Sequence, residues 1–335
     1  MKNPAHDPFG EQERAQYRML VDVLGIRVRV RSNSRRLLRI LEQAFGALPA
    51  HRFASRAQQA ELTLLLRDGP TPSRITTPEP MRMHCGAGVL LGILDANNLV
   101  TISVEQRRAL LCVNRAMLGF PYHLRYELME FALYTLAPRM QRLLPLHAAC
   151  VGLRGRGLLL SGDSGSGKST AGLMCAADGF ELLSEDAVFV EPTSLRATGC
   201  ANFLHVRAET VKFVDDARLR ERIRRAPVIV RRGGARKFEL DVRTSGLAAA
   251  ARPLRLAALI VLSAQRARDG QLLSPLRRAE ALAELTRAQP YAASDPQWST
   301  FCDRMLALPA YRLLRGAHPA AAALALRSLL DSRDA

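Results

Sequence analysis

Along the first third of the chain the apolar positions switch between two periods. Residues 23–31, VLGIRVRVR, alternate apolar with polar and predict a strand. The polar stretch before them, residues 1–20, reads as a frayed end. Leu37, Leu38, Ile40, Leu41 and Phe45 then recur at helical spacing and predict a helix over 34–47. AELTLLLRDG at 60–69 predicts a strand running into a turn, and PTPSRITTPEP at 70–80 a loop. Short apolar runs follow at 83–94 and 98–104. Residues 105–118 fit a helix, or a strand followed by a helix, and 123–144 have helical periodicity. This pattern predicts a small mixed α/β region over 1–140 with a boundary near 138–145.

From residue 141 to 335 the punctuation changes. LHAACVGL, a turn at Arg154 to Gly157, and LLLSG predict a β-hairpin. A Gly/Ser loop comes next, then AGLMCAA as a helix ended by Gly179. FELLSEDAVFV at 180–190 predicts one strand with two acids in its middle, and LRLAALIVLS at 254–263 a buried strand. Residues 217–237 are strongly basic, and the Ala/Leu/Arg-rich tail from 277 reads as helical.

The 335 residues are 48% hydrophobic and 24% charged, which is globular composition and excludes bulk disorder. No apolar run reaches the roughly 18–20 residues of a membrane span, and the N-terminal stretch has no signal-peptide core; the reading is a cytoplasmic protein without a membrane partner. The net charge is +17, with only four lysines (Lys2, Lys168, Lys212 and Lys237), so arginine carries the excess. Its dispersal and the scarcity of aromatics argue against nucleic acid and leave nucleotides or acidic partners open. The six cysteines show no metal-ligand spacing and read as free thiols. A homo-oligomer is compatible with all of this.

One motif carries chemistry. Gly162, Asp163, Ser164, Gly165, Ser166, Gly167, Lys168 and Ser169 match G-x-x-x-x-G-K-[ST], followed by Thr170. The glycines allow a tight turn whose N–H groups face a phosphate, and the helix that follows adds the positive end of its dipole. Lys168 would reach the β- and γ-phosphates of ATP, and Ser169 would hold Mg²⁺.

Two further groups converge on this loop. A hairpin turning near 155–156 sets His147 opposite Asp163 or Ser164. After the helix, the strand from Phe180 returns to the same end and delivers Glu185 and Asp186, carboxylates that interrupt an apolar run and need a partner. A carboxylate beside a histidine, Mg²⁺ and a γ-phosphate suits deprotonation of an incoming hydroxyl.

From Leu146 to Asp186 the chain resembles the HPr kinase/phosphorylase family, in particular its divergent HPr-kinase-related branch. Leu146-His147-Ala148-Ala149-Cys150-Val151 matches the strand that a histidine begins. Gly162 to Ser169 matches G-D-S-G-x-G-K-S, Gly179 the helix stop, and Glu185-Asp186 two adjacent aspartates. The resemblance implies an α/β fold with a phosphate-loop kinase core of the HPr kinase and phosphoenolpyruvate carboxykinase type, joined to the smaller N-terminal region. It implies transfer of the γ-phosphate of ATP to a serine hydroxyl of a protein or peptide, such as a lasso-peptide precursor. In that scheme Glu185 is the base, His147 tunes it, Lys168 contacts the transferred group, and Asp186 with Ser169 holds the metal. The family's glutamate-isoleucine-arginine segment is His205-Val206-Arg207 here, which points away from HPr itself. A small-molecule kinase and a nucleotide-binding sensor without transfer are the rival readings. The segment RIRRAPVIVRRGGARK, 222–237, is either a phosphate clamp or acceptor-docking surface hinged at Gly233 and Gly234, or a solvated basic loop.

Overall fold

The computed structural model describes residues 15–54, 57–68, 77–163, 165–268 and 270–331. The chain divides into two compact units, one of residues 1–47 and 54–141, the other of 48–53 and 142–335.

In the first unit the strand expected over 23–31 is a hairpin, β1 (Tyr17–Val23) and β2 (Ile26–Ser32). Leu24 and Gly25 turn between them with positive φ, and residues 17–20, expected to be frayed, belong to β1; residues 1–14 of that expectation, like 69–76 of the loop, lie outside the described residues. Helix α1 (Arg35–Phe45) starts where the Ser34 hydroxyl accepts from the Leu37 N–H, and it buries Leu37, Ile40, Leu41, Ala44 and Phe45. Strands β3 (Gln59–Arg67), β4 (Arg82–Gly86), β5 (Val89–Asp95), β6 (Asn98–Ser103) and β7 (Arg108–Asn114) complete a seven-stranded mixed sheet of order β1-β2-β3-β7-β6-β5-β4. A π-helical stretch, His123–Met129, leads into α2 (Glu130–Gln141).

The second unit opens with β8 (Leu144–His147), β9 (Ala149–Leu153) and β10 (Arg156–Ser161). Helix α3 (Lys168–Ala177) follows, and Gly179, with φ of 88°, turns the chain back. Next come β11 (Glu181–Ser184), β12 (Ala187–Val190), β13 (Arg196–Gly199) and β14 (Phe203–Val206). The basic segment is no loop: α4 (Ala208–Val211) and α5 (Ala217–Arg225) lead to a hairpin of β15 (Val228–Val230) and β16 (Arg236–Asp241), and α6 (Val242–Ser245) follows.

The long β17 (Leu254–Arg266) runs parallel to β10. The tail is only partly helical. Between α7 (Arg278–Ala288), α8 (Trp298–Met305) and α9 (Ala320–Asp331) lies β19 (Ala310–Arg315), which pairs with β17 and with the short β18 (Leu273–Pro275).

The main sheet runs β11-β9-β10-β17-β13-β12-β8, with β19 and β18 beside β17, and β14-β16-β15 form a small second sheet. The run Leu158-Leu159-Leu160 in β10 is buried on both faces. Leu158 and Leu160 pack with α3 and α9, and Leu159 packs with α7 and α8. A central strand fixed this firmly sets the position of the loop that leaves its C-terminal end.

Candidate functional site

The loop between β10 and α3 takes the conformation its glycines permit. Gly162, Gly165 and Gly167 have φ of 147°, 82° and 110°. A Cβ on Gly162 would stand 2.9 Å from the Ser166 Oγ, whereas one on Gly165 or Gly167 would meet nothing within 4 Å. The space over the last two glycines is therefore open. Inside the loop, the buried Ser166 Oγ has no hydrogen-bond partner among the described residues. Lys168 folds back so that its Nζ donates to the carbonyls of Gly162 at 2.6 Å and Asp163 at 3.2 Å. Burial pulls its pKa below the usual lysine value against the opposing charges of Asp186 and Asp163. The Asp163 carboxylate pairs with Arg287. Thr170 faces Thr210, their hydroxyls 3.4 Å apart. Ser164 lies outside the described residues.

Two breaks in the main sheet assemble the rest. The 180–190 stretch is two strands, because β11 pairs with β9 while β12 pairs with β8 and β13. Glu185 and Asp186 occupy the step between them. The run from Leu144 steps at Ala148 for the same reason: β8 belongs to β12 and β9 to the hairpin. The Ala148 N–H donates to the Asp186 carbonyl at 3.2 Å, stitching the breaks together. The hairpin register, Leu153 opposite Arg156, does not extend to His147, which instead stands across from Ala187.

The bend at this step sends the two acids into different surroundings. Asp186 is half-exposed. His147 Nδ1 lies 3.2 Å from its Oδ1, and Arg231 Nη2 lies 3.7 Å from its Oδ2. Glu185 is buried, and its Oε2 accepts from the His205 N–H at 2.7 Å and meets the His205 Nδ1 at 3.1 Å. The Ser169 hydroxyl also bonds to it. Burial raises the Glu185 pKa, but the His205 ring, its charge, the Ser169 hydroxyl and the backbone N–H together hold it below the ordinary value. The expectation that His147 serves Glu185 is thus corrected: the histidine meets Asp186, and His205 meets Glu185.

Five further residues of the site, His205, Glu239, Lys237, Gln289 and Arg231, are not among the site residues expected from the sequence. His205 stands opposite Glu239 across β14 and β16, with its Nε2 3.9 Å from the Glu239 Oε1. Lys237 is buried nearby, and its pKa is lowered by burial against the attraction of Glu185. Gln289 grips the main chain of His147 from both sides: its Oε1 accepts from the His147 N–H at 2.7 Å and its Nε2 donates to the His147 carbonyl at 2.9 Å. Arg231 and Lys237 carried a signal as members of the basic run, and His205 as the first residue of the His205-Val206-Arg207 segment; Glu239 and Gln289 carried none.

Some of these groups line one cavity of about 820 Å³: His147, residues 165–171, Asp186, His205, Arg231 and Lys237. Ser169 and the carboxylates beside it are hard oxygen donors, a set that fits Mg²⁺ carried in on phosphates. Among the described residues no group of three or more His, Cys, Asp or Glu side chains forms a closed metal centre. No described helix is long and apolar enough to cross a membrane.

No protein-family model matches the chain, and no curated protein matches it. Among solved structures, the HPr(Ser) kinase/phosphatase from Coxiella burnetii is similar over 57% of this chain and 99% of its own, with 13% identity and a TM-score of 0.31. That is a distant and loose likeness.

Proposed function

We propose that the protein is an ATP- and Mg²⁺-dependent phosphotransferase whose acceptor is a serine hydroxyl on a protein or peptide. The observation that carries this reading is the position of Asp186: a half-exposed carboxylate, held by His147, on the same cavity as a glycine-rich loop and its lysine. A site that only bound nucleotide would have no use for a histidine-oriented carboxylate facing the opening.

Each residue then has a task. The backbone of 165–168 and the N-terminus of α3 receive the phosphates, and Lys168 leaves the Gly162 and Asp163 carbonyls to follow the transferring charge. Ser169 and Glu185 would hold Mg²⁺, which supplies charge neutralisation on the phosphates. Asp186 takes the proton from the acceptor hydroxyl, and His147 keeps the carboxylate aimed. This exchanges the two tasks that the resemblance implies for Glu185 and Asp186, because Glu185 is too deeply held to meet an acceptor.

The test is transfer of labelled γ-phosphate from ATP into a peptide or protein fraction. Wild type labels it, and Lys168→Ala does not while keeping its fold by circular dichroism. Equal labelling by both proteins would end the phosphate-loop assignment. Tight ATP binding by wild type with no labelled product would favour a sensor.

A further inference from the structure

The small sheet next to the cavity has an open side. Its order is β14-β16-β15, which makes β15 an edge. The Glu239 N–H donates to the Pro227 carbonyl and the Arg231 N–H to the Ala235 carbonyl, so residues 227 and 231 turn toward β16. Antiparallel alternation, with Ile229 opposite Lys237, then turns the N–H and C=O groups of Val228 and Val230 outward. Val228 and Val230 are 45% and 51% exposed, while Ile229 between them is buried. An apolar edge of this kind invites strand pairing, and proteins ordinarily blunt one with charge or proline on the strand itself. Here the charges stand at its ends instead. Arg224 and Arg225 precede it and Arg232 and Arg236 follow it, all exposed.

This edge leads to the site. Arg231, the next residue after β15, reaches toward Asp186, and Arg231, Gly233 and Ala235 line the cavity. A strand laid along β15 needs only a few more residues, at about 3.3 Å each, to bring a side chain to the cavity mouth.

We propose that the outer edge of β15 docks the acceptor as an added β-strand, and that the docked segment is an extended peptide with apolar or β-branched residues at its centre and acidic residues at its ends. Main-chain hydrogen bonds to Val228 and Val230 give affinity, and the arginines at either end select the acidic flanks. This rests on the phosphotransferase reading for the word acceptor, but the docking edge stands on its own geometry.

The probe is a fluorescent 12-residue peptide with a Val/Thr centre, acidic ends and one serine. Its twin is N-methylated at alternate central residues, which removes backbone donors and keeps charge and side chains. Both are titrated into the full chain without nucleotide. The unmodified peptide binds at least tenfold more tightly than the twin. Val230→Pro, which removes an outward N–H, loses the same tenfold while Mg²⁺-ATP affinity is unchanged, and Val230→Thr keeps peptide binding. Equal affinity for the two peptides, or no binding by either while Mg²⁺-ATP still binds, overturns the docking edge and leaves the kinase reading intact. A dimer in sedimentation that Val230→Pro dissolves also overturns it, in favour of a second copy of this chain. If the unmodified peptide binds as expected but never receives the γ-phosphate, the docking edge stands and the phosphotransferase reading falls.

Discussion

At the scale of single residues, the informative contrast is between two adjacent carboxylates in opposite surroundings. Asp186 faces the cavity with a histidine at its back, so Asp186→Asn is expected to slow phosphate transfer roughly 10²–10⁴-fold and leave Mg²⁺-ATP affinity near normal. Glu185→Gln is expected to do the reverse and weaken Mg²⁺-ATP binding first, because Ser169 loses its charged partner. Single-turnover kinetics beside nucleotide titration separates the two; identical behaviour of both variants would dissolve the division of tasks. His205 supports the buried Glu185 carboxylate with its ring as well as its backbone N–H. Leaving a buried acceptor short of a hydrogen-bond partner costs about 1–3 kcal/mol, and more for a charged group, so His205→Ala should lower the unfolding midpoint more than His147→Ala, whose partner Asp186 keeps access to water. Equal losses of stability in a thermal melt would show that Glu185 has other means of support.

At the scale of elements, the loop between β10 and α3 is the most exposed to a single backbone change. Gly167 precedes α3 with φ of 110° and open space around its missing Cβ, so Gly167→Ala meets no clash and acts through conformation alone. A strained dihedral of this kind costs of order 1–3 kcal/mol. The expected result is weaker ATP binding in calorimetry with the rest of the fold kept, and an unchanged affinity would mean that the loop does not hold its ligand through this conformation. The loop and helix could be read from the sequence because their signals are local: glycines, a lysine and a helix stop within a few turns of chain. The breaks at Ala148 and at Glu185-Asp186 could not. LHAACVGL and FELLSEDAVFV each look like one strand, and they divide only because their two ends pair with different strands far along the chain. Likewise β19 hides in an Ala/Leu/Arg-rich tail that favours helix by composition, and the open edge of β17 makes it a strand. His205 and Glu239 meet across β14 and β16, a pairing that no spacing along the chain announces.

At the scale of the whole molecule, residues 48–53 count among the second unit although the first unit surrounds them in sequence. The buried ring of His51 anchors them, with Nε2 2.7 Å from the Ala250 carbonyl and Nδ1 2.8 Å from the Thr198 hydroxyl. Arg196 adds bonds to the Arg52 and Phe53 carbonyls and lies over the Phe53 ring. Burial lowers the His51 pKa, and the bond to Ala250 only partly opposes it. The unfolded chain therefore binds the proton more readily, and the stability that neutral His51 contributes is complete above its ordinary value of 6.5 and declines as pH falls below it. Thermal midpoints measured from pH 8 to pH 5 should fall more steeply for wild type than for His51→Asn, and parallel curves would remove His51 from the titration. The same anchoring has a consequence in time. Thr198 and Ala250 follow His51 by 147 and 199 residues. At the roughly 5–20 residues per second of synthesis, that separates them by roughly 7 to 40 s. A nascent chain therefore carries this piece of its second unit, unanchored, until the ribosome has finished β13 and the stretch around Ala250 that will receive it.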